Sequence, residues 1–231
     1  MKGSTYNLDK KLEHEVHNFL MRYRVYEQLF KDFPNTVTDP RLQKLGADVT
    51  VGNLVIDEKA MVAWAGANSR RRNFAAEYIN FASGNIGWIA RSDMITTHYL
   101  QVFIYLKNFY TNKDSRTNRI FKCDDILALD ILLIDKKKFK DKVSKIISDE
   151  DIMKEFKNMY GNKVSYRVKN GIELRISYIL HEKPAFITIS SDKLESIGVA
   201  NKYYVYHGDG TVYDGYYIGD VEHEPSQSIS D

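Results

Sequence analysis

The apolar residues near the start of the chain recur at helical spacing. In residues 9–31 they follow a period of three to four, at Leu12, Val16, Phe19, Leu20, Tyr23, Tyr26 and Phe30. This spacing places them on one face of a helix, and Asn7 or Asp9 can cap its start. We therefore predict an amphipathic helix over 9–31. A loop follows at 32–40, where two prolines interrupt the pattern.

The rest of the chain alternates between strand-like and helix-like patterns. Strands are predicted at 73–82, 97–106, 171–180, 185–190 and 202–207, helices at about 123–134, 136–148, 150–159 and 191–197, and a hairpin at 208–220. Residues 110–119 form a polar loop, and the polar tail 221–231 is expected to be disordered. The order predicts one α/β domain over 1–220. Its central mixed sheet would carry the leading helix on one face and the middle helices on the other.

Residues 46–60, GADVTVGNLVIDEKA, predict a β-hairpin. The pair Gly52-Asn53 between two β-branched runs is typical of a two-residue turn. That turn fixes the register behind it, and the expected cross-strand pairs are Val51 with Leu54, Thr50 with Val55, Val49 with Ile56, and Asp48 with Asp57. One face of the hairpin is then apolar and suits a core.

The predicted register sets two like charges against each other. Asp48 and Asp57 would have Cβ atoms about 4.5–5.5 Å apart, and strand alternation puts Lys59 on the face that carries Asp57. Two opposed carboxylates destabilise a strand pair unless a divalent cation lies between them or they share a proton. The alternative is a longer turn with a shifted register, in which both acids face water and Lys59 is their ion-pair partner.

The composition indicates which class of protein contains this hairpin. The chain is 43% hydrophobic and 28% charged, which is typical of a globular protein rather than a disordered or membrane protein. No apolar run approaches the roughly 20 residues of a spanning helix, and the start of the chain has no apolar core of the signal-peptide kind. Cys123 is the only cysteine, so we expect no intrachain disulfide, no cysteine zinc site and a reducing, cytoplasmic location.

An acid at the end of one strand, followed by (Asp/Glu)-x-Lys in the next, resembles the PD-(D/E)XK nuclease superfamily. Asp48 matches the first acid, and Asp57-Glu58-Lys59 matches the second element. The wider run RLQKLGADVTV…VIDEKA is similar to bacterial and phage members with a Q-x-x-G-x-D strand. Their next elements, F-x-x-E and GW, are matched in FAAEYINFASGNIGWI by Glu77, Gly87 and Trp88. The likeness covers residues 8–106.

Two departures from the motif bear on which acid is used. Ala47 stands where the superfamily has proline, which removes no ligand. Glu58 follows Asp57 directly, so a shifted register would offer the wrong acid. We prefer Asp57, because it shares a face with Lys59 while Glu58 would point towards the core or an adjoining helix.

The resemblance implies a restriction-endonuclease-like fold and metal-assisted hydrolysis of DNA, with RNA left open as a substrate. Asp48 and Asp57 would hold Mg²⁺, for which Mn²⁺ could substitute, and the metal would activate a bound water. Lys59 would orient that water and stabilise charge in the transition state. Glu77 would be a further ligand or water holder, or a rim carboxylate. The rival interpretation is a catalytically silent binding module on the same fold.

Further residues are candidates for completing the site or holding the substrate. Glu13 or Glu15 of the first helix would approach the metal, or lie on a solvated face. Gln43 would position Lys59 or a phosphate, or make a loop hydrogen bond. The formal net charge is only +2, so DNA binding would need a local basic patch. Arg70, Arg71 and Arg72 would grip the DNA backbone if the hairpin holds a metal, or form a solvated loop. The sequence leaves both a monomer and a homodimer open.

Overall fold

The computed structural model describes residues 6–62, 65, 72–107, 120–178 and 183–217. The helices in these ranges are α1 (Tyr6–Arg22), α2 (Val25–Phe30), α3 (Pro40–Lys44), α4 (Lys136–Ser144), α5 (Asp149–Met159) and α6 (Ser191–Ser196). The strands are β1 (Pro34–Thr36), β2 (Val49–Val51), β3 (Leu54–Ala60), β4 (Asn73–Asn80), β5 (His98–Leu106), β6 (Ile126–Asp135), β7 (Ser165–Arg167), β8 (Ile172–Ile176), β9 (Pro184–Ser190), β10 (Ala200–Tyr206) and β11 (Val212–Asp214). The chain is therefore a mixed α/β protein, as the sequence predicts.

The described strands form two sheets. The larger sheet has seven strands in the order β1-β2-β3-β5-β6-β10-β11, and the smaller sheet has four in the order β4-β9-β8-β7. In the larger sheet β3 and β5 are parallel, and every other neighbouring pair is antiparallel. The connection between these parallel strands contains β4. The expected single central sheet is thus incomplete, because β4 leaves it and pairs with β9 instead.

Two hydrophobic cores lie on opposite faces of the larger sheet. On one face α1 and α2 pack Phe19 and Tyr26 against the sheet, where Val102 of β5 faces them. On the other face α4, α5 and the smaller sheet pack around Tyr99, the neighbour of Leu100 on β5. The predicted placement of the leading helix and the middle helices on opposite faces is therefore confirmed.

Two predicted helices are wrong in part. The expected single helix over 9–31 is two helices, because Arg24 adopts a left-handed conformation with φ 51° between α1 and α2. The expected helix at 123–134 is mainly β6, which is buried along nearly its whole length. A continuous apolar run does not distinguish a buried strand from a buried helix by periodicity.

Smaller differences lie in the loops and at the end of the chain. The predicted loop at 32–40 contains the short edge strand β1. Strand β11 pairs back onto β10, and within 208–217, the described part of the predicted hairpin, it is the one strand. The predicted loop at 110–119 and the tail at 221–231 lie outside the described residues. None of the described helices has the length and apolar character that a membrane-spanning segment requires.

Candidate functional site

The β2–β3 hairpin has the predicted turn and register. Residues 52–53 form the turn, and the observed partners are Val51 with Leu54, Thr50 with Val55, and Val49 with Ile56. Val49 and Ile56 are fully buried against the α1 side of the sheet. The longer turn with a shifted register is therefore excluded.

Asp48 lies just beyond the last regular pair of this ladder. Its amide donates to the carbonyl of Ile56 at 2.9 Å, and its Oδ2 accepts from the amide of Glu58 at 2.8 Å. An aspartate side chain competes in this way with the backbone for ladder hydrogen bonds. The predicted direct pair between Asp48 and Asp57 is therefore not formed. Asp48 instead accepts a hydrogen bond from the amide of Glu58, the residue after Asp57, and this bond keeps Asp48 next to Asp57.

Asp57 is a buried carboxylate with one paired and one unpaired oxygen. The residue is only 2% exposed, and its Oδ1 lies 2.6 Å from the ammonium of Lys59. Its Oδ2 has no hydrogen-bond partner among the described residues. Gly46 packs closely here, since a Cβ atom on that glycine would lie 3.3 Å from Oδ2. A buried polar atom without a partner is costly, so Oδ2 is the strongest indication of a ligand at this site.

The charges around Asp48 change its proton affinity. Burial and the neighbouring charge of Asp57 raise the pKa of Asp48 from its ordinary 3.8 to about 7, against opposing contributions from Lys59 and the amide of Glu58. Two nearby carboxylates in a partly desolvated site cannot both ionise freely. Asp48 therefore changes its charge near neutral pH.

Aromatic and amide groups hold Lys59 in place. Its ammonium lies 5.1 Å from the ring centroid of Trp88, which in turn packs 4.7 Å from the ring of Tyr99. The carbonyl of Lys59 accepts from Gln101 Nε2 at 2.6 Å. A cation over an indole ring is attracted by the ring quadrupole. Trp88 thus contacts Lys59, a contact that the motif alone did not reveal.

Glu58 points to the opposite side of the sheet, towards the first two helices, as predicted. His17 Nδ1 lies 3.0 Å from its Oε1, and the hydroxyl of Tyr26 donates to the same oxygen. The hydrogen bond to Glu58 raises the pKa of His17 above its ordinary value. Sequence reasoning did not identify His17 and Tyr26 as partners of Glu58. Tyr26 lies on the apolar face of the predicted helix, where a polar group needs a partner, whereas His17 lies off that face.

The structure separates the two helix acids. Glu15 is occupied, because its Oε2 accepts from the amide of Cys123 at 2.8 Å. Glu13 lies within electrostatic reach of the hairpin: desolvation raises its pKa, the charge of Lys59 opposes that rise, and the charge of Asp57 adds to it. Of the two helix acids, Glu13 is the one placed near the site.

Glu77 and Gln43 are both placed by the structure. Glu77 lies on β4 in the smaller sheet and pairs across the strands with Phe186. The neighbours of Phe186 on β9, Ala185 and Ile187, face the core, so Glu77 lies on the outer face of that sheet. Gln43 donates from Nε2 to the carbonyl of Val37 at 2.8 Å, which is the loop hydrogen bond considered above.

The arginine cluster does not act as one surface patch. Arg70 and Arg71 lie outside the described residues. Arg72 turns inwards: its Nε lies 2.5 Å from Oδ2 of Asp130, and its Nη2 donates to the hydroxyl of Tyr105. Asp130 is fully buried. The guanidinium of Arg72 is thus engaged inside the fold rather than presented to solvent.

The donor set determines which metal the site suits. In the ranges that the structure describes, no three histidine, cysteine or acidic side chains are grouped as metal ligands. The hairpin offers two carboxylates, Asp48 and Asp57, one of which has an unpaired oxygen. Mg²⁺ prefers oxygen donors and often binds through one or two carboxylates together with water and substrate phosphate. The residues fit such an ion in kind and number.

Comparison with known proteins identifies no relative. No family model matches the chain, and neither a curated protein nor a solved structure matches it. The function is therefore inferred from the chemistry of the hairpin.

Proposed function

We propose that this protein is a Mg²⁺-dependent endonuclease that hydrolyses DNA phosphodiester bonds at the β2–β3 hairpin. The observation that carries the proposal is the buried carboxylate of Asp57. One of its oxygens binds the ammonium of Lys59, and the other, beside the half-buried Asp48, has no partner in the part of the chain that the structure describes. An unpaired anionic oxygen next to an ammonium and a second carboxylate suits a cation and a phosphate together. The mixed sheet with helices on both faces is compatible with a restriction-endonuclease-like fold.

Each residue of the group has a distinct role in this proposal. Asp48 and Asp57 would hold the Mg²⁺ ion, which when bound polarises a phosphate oxygen and lowers the pKa of a bound water. Lys59, held between Asp57 and the ring of Trp88, would direct its ammonium at the phosphate and stabilise the charge that develops there. Asp48 must be ionised to bind a cation, and its pKa of about 7 favours loading at neutral to alkaline pH.

A plasmid cleavage assay tests the proposal. Wild-type protein with Mg²⁺ is compared with Asp57→Asn and Lys59→Met on supercoiled DNA. Removing a group that stabilises transition-state charge typically slows the reaction by about 10²–10³-fold, and we expect losses of at least that size. Asp124→Asn and Lys31→Met are the matched controls, because both residues are exposed. Circular dichroism melting confirms that each variant is folded.

The outcomes separate the proposal from its rival. Equal cleavage by wild type, Asp57→Asn and Lys59→Met would remove the hairpin from the reaction. If the wild type cuts neither DNA nor RNA with Mg²⁺ or Mn²⁺, the result favours the rival, a catalytically silent binding module on the same fold. Selective loss in the two hairpin variants, with both controls active, supports catalysis at this site.

A further inference from the structure

Helix α4 begins beside the catalytic group in the larger sheet. Asp57 of β3 is level with Tyr99 of β5, which is level with Ile134 of β6. Neighbouring strands are about 4.8 Å apart, so Ile134 lies roughly 10 Å from Asp57. Two residues after Ile134 the chain enters α4 at Lys136. The start of this helix is therefore fixed close to the hairpin acids by strand register alone.

The first lysine of α4 is anchored to the wall of the same site. The amide of Lys136 donates to the carbonyl of Thr97 at 3.0 Å, and its ammonium donates to the carbonyl of Met94 at 2.9 Å. The methyl group of Met94 packs on Gly46, the residue that also lies against Asp57 Oδ2. Lys136 thus holds a second ammonium near the acids, in addition to that of Lys59.

The lysines of α4 are arranged at a cost to the helix. Lys136 and Lys140 are four residues apart, so they share one stripe of the surface, where like charges are destabilising. Desolvation and then the charge of Lys140 lower the pKa of Lys136. Three lysines, 136–138, occupy the first turn, where the helix dipole disfavours cations. Asp135 at the N-cap accepts from the amide of Lys138 and lies 3.6 Å from its ammonium, so it offsets the charge of Lys138, while the exposed ammonium groups of Lys137 and Lys140 remain available to an anion.

The segment 135–145, which contains α4, carries a larger positive net charge than the whole chain. Residues 135–145 contain six lysines and two aspartates, a net charge of 6 − 2 = +4, whereas the whole chain carries +2. Phe139 and Val143 bury the opposite side of α4 in the core, so Lys137 and Lys140 are exposed. A concentrated positive surface next to a phosphodiesterase site has the sign required by a nucleic-acid backbone.

We propose that Lys137 and Lys140, on the helix whose start Lys136 anchors, form a basic track that binds the phosphate backbone of duplex DNA as it leaves the Asp57–Lys59 site. The identity of the polyanion rests on the proposed nuclease function. The track itself rests on the strand register, the anchoring of Lys136 and the stripe of exposed ammonium groups. Of the arginine cluster to which the sequence assigned DNA binding, Arg72 is engaged inside the fold, and Arg70 and Arg71 lie outside the described residues.

Salt-dependent binding tests the track without requiring cleavage. Fluorescence anisotropy with a labelled DNA duplex is measured in EDTA over a series of salt concentrations, using the Asp57→Asn chain as parent. Each lost phosphate contact lowers the slope of log K against log salt by about 0.9. The additional double change Lys137→Gln with Lys140→Gln should therefore reduce the slope by about 1.8 and weaken binding at every salt concentration. Lys136 is left intact because its ammonium is bound inside the protein.

A charge-matched control makes the result specific. Lys31→Gln with Lys122→Gln removes the same charge from two exposed lysines, at the end of α2 and at the start of the short helical turn that contacts α1. If this control reduces the slope as much as the α4 variant, or if the α4 variant binds like its parent, the track is overturned. Slope loss confined to the α4 variant supports it.

The two proposals fail in different ways. Track-dependent binding by a protein that cleaves no nucleic acid with any divalent metal would overturn the nuclease and retain the track. Cleavage that requires Asp57, with duplex binding that is independent of Lys137 and Lys140, would overturn the track and retain the nuclease.

Discussion

The amide of Glu58 donates to Oδ2 of Asp48 at 2.8 Å, while the side chain of Glu58 accepts hydrogen bonds on the other side of the sheet. One residue of β3 therefore joins the site to the first two helices. His17 and Tyr26 fix the side chain, and the fixed strand positions the amide that orients Asp48. Stability of the helical face and protonation of the site are thus coupled.

The raised pKa of Asp48 predicts a specific pH dependence of stability. The pKa of Asp48 is 3.8 in the unfolded chain and about 7 in the folded chain. At pH values between the two, Asp48 is ionised in the unfolded chain and protonated in the folded chain. The free energy of unfolding contributed by Asp48 is therefore fully present below 3.8 and is lost as pH rises through about 7. Its size is at most about 4 kcal/mol, because each tenfold change in proton affinity is worth about 1.36 kcal/mol.

Urea unfolding at a series of pH values measures this effect. The free energy of unfolding of the Asp48→Asn variant should not show this decline with pH. The difference in stability between wild type and variant should therefore change between about pH 3.8 and 7. Asp93→Asn is the control, because Asp93 is exposed and the hydrogen bond from Arg91 lowers its pKa. Parallel curves for wild type and Asp48→Asn would show that Asp48 titrates normally.

Because Glu58 contacts both faces of the sheet, a substitution of its side chain on the helix side should alter the pKa of Asp48 on the hairpin side. Glu58→Gln removes a negative charge that raises the pKa of both His17 and Asp48. Both pKa values should fall, and the loss of a charged hydrogen bond should cost about 1.5–3 kcal/mol of stability. In the wild type, protonated His17 stabilises the fold at pH values below its ordinary pKa of 6.5, and this stabilisation is lost as pH rises through the raised pKa of the folded state. The Glu58→Gln variant should not show this loss of stability.

NMR titration of the His17 ring and of the Asp48 carboxyl carbon reads out both sites separately. His14→Gln is the control, since the exposed His14 ring lies 6.3 Å from that of His17 on the same helix. Unchanged titration of Asp48 in Glu58→Gln would contradict coupling across the sheet, even if the protein were less stable.

A side chain at Gly46 should disrupt the floor of the site. Gly46 has φ +79°, and a Cβ atom there would overlap Thr96 Oγ1 and lie 2.5 Å from the Met94 methyl group. Gly84 has a similar φ of +73°, but a Cβ atom added there would meet no heavy atom within 4 Å. Gly84→Ala should therefore cost only the backbone strain of about 1–2 kcal/mol. Gly46→Ala should cost a further 1–3 kcal/mol or so, because it overpacks the site.

Chemical denaturation of the two alanine variants isolates the packing contribution. The same proteins can be titrated with Mn²⁺ in the presence of DNA, where Gly46→Ala should weaken metal binding and Gly84→Ala should not. Equal stability of the two variants would mean that the loop around Gly46 relaxes freely.

Removing the inward arginine should destabilise the fold. Arg72→Gln leaves the buried Asp130 without its cation, and loss of one partner of a buried pair typically costs about 3–5 kcal/mol. Arg91→Gln is the matched control, because its ion pair with Asp93 is exposed and such pairs are worth about 1 kcal/mol or less. Thermal unfolding compares them. A mild effect of Arg72→Gln, equal to that of Arg91→Gln, would contradict a structural role.

The hairpin could be predicted because local chemistry determines it. Gly52 and Asn53 specify a short turn, and that turn sets the register of Val49 and Ile56 without reference to the rest of the chain. The bond between Asp48 and the Glu58 amide was not predictable in the same way, since it depends on a side chain replacing a ladder contact at the strand end.

Contacts between segments that are distant in the sequence could not be predicted from the sequence. The contact between Arg72 and Asp130 joins residues 58 positions apart, so a charge run resembled a surface loop. Trp88 approaches Lys59 through the connection that contains β4, which pairs with a strand more than one hundred residues later. Strand β6 lacks periodicity because both of its faces are buried, and its apolar run matched a helix equally well.

Asp130 also imposes an order on the events of synthesis. Its Oδ2 binds Arg72, made earlier on the ribosome, and its Oδ1 accepts from the amide of Tyr217, which is translated 87 residues later. Until that amide is made, strand β6 of the larger sheet contains a buried acid that has only part of its hydrogen bonding. The hydrogen bonding of Asp130 is therefore completed only by a segment made well after β6, and a chain terminated before Tyr217 should be less stable than one that contains it.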